Sequence, residues 1–249
     1  MTIHPNIHTA LTQGHALKII SGLTNFDIAN VLAVAKAAQQ GGATFIDIAA
    51  DAELVRQVSE RVNLPICVSA VDPEAFLAPV AAGATVIEIG NFDAFYAQGI
   101  EFSANDVLNL TKRTRELLPQ ITLSVTVPHT LPLDKQVKLA EDLVALGTDI
   151  IQTEGGTSSE PTHAGTVGLI EKATPTLAAA HAISRAVNIP VLCASGISDV
   201  TAPMAIAAGA AGVGVGAAVH KLNDEIVMIA AVRSLREALQ TVTRTTITV

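Results

Sequence analysis

Residues 63–90, NLPICVSAVDPEAFLAPVAAGATVIEIG, are similar to residues 188–216, NIPVLCASGISDVTAPMAIAAGAAGVGVG, with one residue inserted. Each copy runs from a short β-like segment through a helical segment to a second β-like segment that follows a glycine. In a closed ring of eight strands, a unit four strands later occupies an equivalent place. The repeat therefore predicts a (β/α)8 TIM barrel, and an open, doubly wound parallel sheet is the alternative.

Eight β-like segments alternate with helical stretches along the 249 residues, which indicates a parallel α/β fold. They cover residues 17–21, 44–49, 65–69, 85–90, 122–127, 149–154, 190–195 and 212–216. Four of the helical stretches end at an equivalent glycine, namely Gly42, Gly83, Gly147 and Gly209. We predict a single domain over residues 1–249, in which residues 1–16 are an N-terminal extension.

The acidic composition argues against nucleic acid and anionic membranes as binding partners. A net charge of -8 and a pI of about 5.3 leave no basic surface for nucleic acid or for an anionic membrane. The long uncharged run over residues 200–220 contains Pro203 and glycines, so it predicts a helix and a strand rather than a membrane span. The start of the chain has no signal-peptide pattern, and we therefore expect a cytoplasmic protein.

The cysteines and histidines show no metal-binding pattern. Cys67 and Cys193 form no ligand cluster in the sequence, and no histidine pair has the spacing of a zinc-protease helix. The two cysteines are predicted to be small core residues at matching strand positions. We expect no metal site.

Alignment of the even-numbered strands at their glycine stops places Asp47, Glu88 and Gln152 at one level, together with Gly214. Side chains of alternate strands share a layer inside such a barrel, so these polar groups should converge in the lumen. Burying two carboxylates is costly unless they bind a ligand or share protons. We predict a catalytic acid–base layer, and the alternative is a structural polar plug.

Three further residues are candidate catalytic groups. Lys18 on the first strand is a candidate Schiff-base nucleophile, although strand alternation turns it outward if Ser21 points inward and no bulge intervenes. His129 follows the fifth strand at the catalytic face and is the best-placed histidine for proton transfer. Glu154 stands at the end of the sixth strand, within reach of a ligand.

The last two strand-to-helix loops predict a phosphate site. Glycines allow the backbone to approach an anion closely, and the turn after the eighth strand leaves unpaired N–H groups at the start of a short helix. Plain packing of glycines where the barrel closes is the alternative. The predicted phosphate contacts are Ser195, Gly196, Ile197, Gly214, Gly216, Ala217 and Ala218.

Two long loops lie at the same face. Residues 90–102 hold four of the seven aromatic side chains, which could stack on a flat ligand or seat the loop on the barrel. Residues 155–174 are rich in Gly, Ser and Thr, which is typical of a mobile lid.

Several motifs together resemble a family without an assigned activity. The segments LKIISGLTNFD, VIEIGNFDAFY, VTVPHTL and GLIEKATPTLAAAHAIS, with the repeats quoted above, resemble the hypothetical chloroplast reading frame twenty-three family of plastids and cyanobacteria. The resemblance covers about residues 17–236 and implies a phosphate-binding TIM barrel, located in the stroma in a plastid-bearing source. The last third is also similar to thiazole synthase, which implies phosphate contacts at Ser195, Gly196, Gly216 and Ala217.

Three functions fit these observations. The first is an enzyme that acts on a small phosphorylated metabolite by lyase, isomerase or synthase chemistry, with Gln152 orienting the substrate. The second is an oxidoreductase that holds flavin mononucleotide at the same phosphate site. The third is a non-catalytic sensor of a phosphorylated metabolite. Apolar faces on the outer helices also leave a homo-oligomer open.

Overall fold

The computed structural model describes residues 3–242 and shows a closed barrel of eight parallel strands in sequence order. The strands are β1 Ala16–Gly22, β2 Phe45–Ala49, β3 Ile66–Ala70, β4 Val86–Ile89, β5 Thr122–Thr126, β6 Ile150–Thr153, β7 Val191–Ala194 and β8 Gly212–Val215. The predicted TIM barrel is confirmed, and each strand end lies within one residue of its predicted position. The open-sheet alternative is wrong because β1 pairs with β8.

Helices surround the barrel and begin where the sequence offers caps. The Ser103 side chain and Asp106 form a reciprocal capping box at the start of one helix. The helices are α1 Pro5–Gln13, α2 Ile28–Gly41, α3 Ala52–Ser59, α4 Leu77–Ala81, α5 Asp93–Tyr96, α6 Ala104–Leu117, α7 Leu133–Ala145, α8 Gly165–Ala186, α9 Ala202–Ala207, α10 Ala217–His220 and α11 Glu225–Gln240. Within residues 3–242, none of these helices combines the length and apolarity that a membrane crossing needs.

The four predicted glycine stops share a left-handed backbone. Their φ angles lie between 84° and 117°, a region that glycine enters without a steric penalty. Each stop ends one helix and turns the chain into the following strand. This local signal explains why the strand positions were predictable: the stops are Gly42, Gly83, Gly147 and Gly209.

The predicted N-terminal extension forms α1, which closes the amino end of the barrel. Ile7 and Leu11 of this helix are buried against the first lumen-facing residues of the strands, among them Phe45, Val86 and Leu192. Because these side chains leave no opening to solvent, the amino end is a packed core. In the described residues 3–242, the amino end of the barrel therefore offers a ligand no route into the lumen.

The outer barrel surface packs against the helices through alternate strand residues. Ile46, Ile87 and Ile151 belong to this outer core, as strand alternation predicts. The expectation that Cys67 and Cys193 occupy matching positions is wrong: Cys67 lies in the lumen and Cys193 in the outer core. The residue of the second repeat that corresponds to Cys67 is Leu192, because the inserted residue of that repeat comes after the strand. Cys193 is therefore one position further along its strand and points to the opposite side of the sheet.

The two long loops adopt defined structures. Phe92 is fully buried and its ring centroid lies 4.5 Å from that of Phe102, so these aromatic residues seat the first loop on the barrel. The second predicted loop is shorter than expected because α8 begins at Gly165 and continues through Pro175. The Gly-, Ser- and Thr-rich composition of residues 155–174 did not indicate that a helix begins within them.

Candidate functional site

Lys18 points into the lumen. The register between β1 and β2 shifts between Ile20 and Gly22, so the strand carries an irregularity just past the lysine. The direction in which the Ser21 side chain points therefore does not predict that of Lys18, and the structure shows that Lys18 points inward. Its Nζ atom lies 2.7 Å from Oε2 of Glu88 and 3.8 Å from Oδ2 of Asp47.

Glu88 is the centre of the polar layer, where its buried carboxylate accepts hydrogen bonds from several sides. Oε2 accepts from the Lys18 ammonium and from the hydroxyl of Ser124, each at 2.7 Å. Oε1 accepts from Nε2 of Gln152 at 2.7 Å and from Nδ2 of Asn91 at 3.4 Å. These four hydrogen bonds hold the Glu88 side chain in place and fix the positions of its neighbours.

Asp47 is the second carboxyl group of the layer and makes fewer close contacts than Glu88. Its Oδ1 accepts the hydroxyl hydrogen of Ser69 at 2.6 Å, whereas the donors to Oδ2 are more distant. Burial raises the pKa of Asp47 to about 6, although the positive charge of Lys18 works against the shift. For Lys18, burial lowers the pKa, but the charges of Glu88 and Asp47 outweigh burial, so its pKa is raised and the amine is an ammonium.

Gln152 has one free acceptor. Its Nε2 donates to Glu88 and, at 3.3 Å, to Thr126, which fixes the orientation of the amide because Glu88 can only accept. Oε1 is fully buried and has no hydrogen-bond partner among the described residues. It faces Gly214, where an added Cβ would lie 3.1 Å from it. The structure thus places Gly214 in the polar layer rather than among the predicted loop amides.

Asn91 covers this layer and was missed by the sequence analysis. It follows β4 with a φ of 60°, a left-handed conformation that asparagine tolerates better than most residues. Its Nδ2 lies 3.1 Å from Oγ of Ser69 and 3.3 Å from Oδ2 of Asp47. Because these hydrogen bonds are long, a ligand atom could replace the amide of Asn91 above the carboxylates.

His129 and Glu154, both predicted, lie together in a second group above the strands. Nδ1 and the backbone N–H of His129 lie 3.2 Å and 3.1 Å from Oε1 of Glu154, which also accepts the hydroxyl hydrogen of Tyr96. The hydrogen bond to Glu154 raises the pKa of His129, and burial opposes it. Burial raises the pKa of Glu154. Asp93, which the sequence did not single out, lies 3.7 Å from the same Nδ1.

The loop after β7 carries two successive left-handed residues. Ser195 has a φ of 72° and Gly196 a φ of 76°. A Cβ on Gly196 would lie 2.8 Å from Cα of Gly156 and 3.0 Å from the carbonyl oxygen of Lys172, so only glycine fits there. The Ser195 hydroxyl donates to Oδ2 of Asp93 at 2.7 Å.

The loops after β7 and β8 lie side by side. Ala194 pairs with Gly214, so the residues that follow these two strands emerge next to each other. The backbone N–H groups of five predicted phosphate-loop residues donate none of the loop, turn and cap hydrogen bonds within residues 3–242. These residues are Gly196, Ile197, Gly216, Ala217 and Ala218. The buried Ile197 side chain anchors its loop in the outer core.

Comparison with known proteins identifies relatives over most of the chain. Residues 3–245 match the model of a protein family of unknown function, DUF561. The chain belongs to this family. It is 48% identical over 224 residues to "Uncharacterized protein ycf23" of Cyanophora paradoxa, covering 90% of this chain and 92% of the relative. The ycf23 protein of Pyropia yezoensis is 40% identical over 240 residues, 96% of this chain and 88% of the relative. The resemblance inferred from the motifs is confirmed.

Solved structures confirm the fold of this family member. The GGGPS of Thermoplasma volcanium matches with a TM-score of 0.68 at 13% identity, over 98% of this chain and 99% of that chain. A 3-hexulose-6-phosphate synthase matches with a TM-score of 0.63 at 16% identity, over 90% and 99%. The thiamine phosphate pyrophosphorylase of Pyrococcus furiosus matches with a TM-score of 0.58 at 20% identity, over 93% and 98%. The narrower similarity to thiazole synthase stays a prediction, as do the flavin and sensor functions and the homo-oligomer.

Proposed function

We propose that this chain is an enzyme that acts on a small phosphorylated metabolite by proton transfer, as a lyase, isomerase or synthase. The observation that carries the proposal is the buried ion pair of Lys18 and Glu88 beside Asp47, in the lumen above the packed amino end of the barrel. Buried ion pairs add little stability compared with apolar side chains, so a catalytic role accounts for this one better than a structural role.

Asp47 is the proposed general acid–base. A pKa of about 6 lets its carboxylate accept a proton near neutral pH and return it later in the same cycle. The Ser69 hydroxyl holds one carboxylate oxygen, which leaves the other, Oδ2, for a carbon-bound or oxygen-bound proton of the substrate.

Lys18 is the proposed electrostatic group. Because its pKa is raised, the amine is protonated and is not a ready nucleophile for a Schiff base. An ammonium in a buried site instead stabilises negative charge that develops on a substrate oxygen during proton abstraction. Glu88 holds Lys18 in place, and this positioning role replaces the acid–base role that the sequence suggested for it.

The loops after β7 and β8 are the proposed phosphate anchor. Backbone N–H groups that donate no loop, turn or cap hydrogen bond within residues 3–242 can donate to phosphate oxygens, and Gly196 keeps the backbone accessible. These N–H groups belong to Gly196, Ile197, Ala217 and Ala218. A phosphate held there places the adjoining carbon atoms toward the polar layer, so that binding energy serves positioning.

Two contacts describe how the carbon skeleton would bind. A polar substrate atom replaces Nδ2 of Asn91 over Asp47, because the existing hydrogen bonds of that amide are long. A substrate hydroxyl donates to Oε1 of Gln152, whose present lack of a donor is unfavourable by about 1–3 kcal/mol.

His129 and Glu154 are a proposed second proton-transfer pair at the mouth of the lumen. The solved neighbours whose names contain a phosphorylated compound, a thiamine phosphate pyrophosphorylase and a 3-hexulose-6-phosphate synthase, support the substrate class by analogy of fold alone. Activity in the cytoplasm, or in the plastid stroma of a plastid-bearing source, is part of the proposal.

Proton exchange tests the proposal without knowledge of the full reaction. Purified protein is incubated in D2O with a panel of phosphorylated hydroxy-ketones and hydroxy-aldehydes, and proton NMR follows the loss of signals next to the carbonyl. We expect exchange of at least one compound with the wild-type protein and at least a 100-fold slower exchange with Asp47→Asn.

A matched control is Asp134→Asn, which removes a carboxylate whose side chain is 73% exposed. It should exchange at the wild-type rate. Wild-type protein that exchanges no compound and shows no thermal shift with any of them contradicts the proposed function.

A further inference from the structure

We propose that Asp93, His129 and Glu154 form a binding site for a divalent transition-metal cation beside the phosphate loop. One nitrogen or oxygen atom from each of these residues lies within 4.8 Å of the others. The three residues come from α5, the loop after β5 and the position directly after β6, and they meet only when the barrel closes. No sequence spacing predicts such a cluster, and our expectation of no metal site did not foresee it.

The spacing of the donor atoms suits coordination. Nδ1 of His129 lies 3.2 Å from Oε1 of Glu154 and 3.7 Å from Oδ1 of Asp93. Ligand atoms about 2.1 Å from a shared cation lie roughly 3.0–3.4 Å apart in octahedral or tetrahedral geometry. The second distance is too long for a hydrogen bond, and it exceeds this ligand spacing by only a few tenths of an ångström.

An unsatisfied acceptor points into the cluster. Oδ1 of Asp93 is fully buried and has no hydrogen-bond partner among the described residues, although its side chain keeps 15% of its surface exposed. The other oxygen, Oδ2, accepts the hydroxyl hydrogen of Ser195. A buried carboxylate oxygen without a donor is unfavourable, and a cation removes that penalty.

Outer contacts orient the ligands in the way that metal sites require. Glu154 is held by the hydroxyl of Tyr96, by the backbone N–H of His129 and, at 3.4 Å, by the N–H of Asp93. Ser195 holds Asp93. Hydrogen bonds of this kind to a ligating carboxylate fix its direction.

The donor set selects the kind of cation. Two carboxylates and one imidazole suit Mn²⁺, Fe²⁺, Co²⁺ or Zn²⁺ better than Mg²⁺ or Ca²⁺, which prefer oxygen ligands alone. The three protein ligands leave coordination positions for an anion. Since Ser195 contacts Asp93 and begins the loop after β7, a phosphate oxygen of the ligand is the expected occupant; this last step rests on the proposed function.

A cation and a proton at Nδ1 of His129 exclude one another, so the site also tests the proton-transfer role proposed for that residue. Chelator-treated protein is titrated with Mn²⁺, Zn²⁺ and Mg²⁺ by calorimetry. We expect the wild-type protein to bind one Mn²⁺ or Zn²⁺ per chain and to bind Mg²⁺ with at least tenfold lower affinity. Asp93→Asn should lower the Mn²⁺ affinity at least tenfold, although this isosteric change still allows residue 93 to accept the hydrogen bond from Ser195. Glu154→Gln should have the same effect.

The control is Glu171→Gln, which disrupts a histidine–carboxylate pair with His163 at 2.6 Å outside the proposed site and should not change the affinity. Absence of Mn²⁺ and Zn²⁺ binding to the wild-type protein overturns the inference, as does binding that survives Asp93→Asn and Glu154→Gln or disappears in Glu171→Gln. Inorganic phosphate is then titrated with and without Mn²⁺. An unchanged phosphate affinity in the presence of bound Mn²⁺ overturns the bridging role and leaves the cation site standing.

Discussion

Nζ of Lys18 lies 2.7 Å from Oε2 of Glu88, and both side chains are completely buried in the barrel. The two charges satisfy each other in a medium where neither can be hydrated. Ser124 and Gln152 add hydrogen bonds to the same carboxylate, so the pair is part of a network rather than an isolated contact. Removal of Lys18 therefore leaves the Glu88 carboxylate without a cation, whereas removal of Glu88 leaves Lys18 with Asp47 at 3.8 Å.

Lys18→Met should lower the free energy of unfolding by about 3–5 kcal/mol, because it leaves two buried carboxyl groups without a cation. Glu88→Gln should lower it by less, because Lys18 keeps Asp47 as a partner of opposite charge. The double variant should lose less than the sum of the two single variants, since it leaves fewer unpaired charges. Urea unfolding at neutral pH measures all three. Lys138→Met breaks an exposed pair with Asp142 and should change stability by less than about 0.5 kcal/mol. Additive losses in the double variant contradict the coupling.

The raised pKa of Asp47 predicts a pH-dependent contribution to stability. A carboxyl group whose pKa rises on folding stabilises the fold at low pH, and this stabilisation is lost as pH increases from about 4 through 6. The stability difference between the wild-type protein and Asp47→Asn should therefore fall by about 2–3 kcal/mol over that window and stay level above pH 7. Urea unfolding across the pH range measures this difference. A pH-independent difference refutes the shift.

The strands could be predicted because their signals are local. A helix stop such as Gly42 or Gly147 and the alternating isoleucines beside Asp47 are visible within a few residues of sequence. The shared level of Asp47, Glu88 and Gln152 followed from the same stops, because equal spacing from each stop gives equal height in the barrel. This part of the site needed only the period of a strand.

The rest depended on geometry that no short pattern records. The irregularity between Ile20 and Gly22 breaks the strand alternation, so the facing of Lys18 could not be inferred from that of Ser21. Asn91 and Asp93 reach the site from the loop after β4, where a backbone angle and a short helix direct them. In the sequence, the aromatic residues around them were the stronger signal.

A negative charge at Ala217 should weaken phosphate binding. This exposed residue is the first of α10, next to the proposed anchor. Ala217→Asp places a carboxylate near the phosphate, and the repulsion of roughly 1–2 kcal/mol should lower the affinity for inorganic phosphate about tenfold. The isosteric control Ala217→Asn adds no charge. Calorimetry at low and high salt measures both, and the gap between the two variants should narrow at high salt. Equal affinities at low salt contradict the placement of the anchor.

The free acceptor of Gln152 predicts a preference for ligands with a hydroxyl group. Glycerol phosphate and propyl phosphate share the phosphate and the three-carbon chain, and only the first can donate hydrogen bonds to Oε1. A hydrogen bond to a buried acceptor that otherwise has no donor contributes about 1–3 kcal/mol, so the wild-type protein should bind glycerol phosphate at least fivefold more tightly. Calorimetric titration gives the ratio of the two dissociation constants.

Gln152→Met keeps the size of the side chain and removes the acceptor, so this ratio should fall to about one while propyl phosphate still binds. The thermal unfolding temperature of the variant establishes that the barrel is intact, since Glu88 retains Lys18 and Ser124 as donors. A ratio that is the same in both proteins places the hydroxyl elsewhere and removes Gln152 from substrate recognition. Failure of both compounds to bind the wild-type protein counts instead against the phosphate anchor, so the two claims are tested separately.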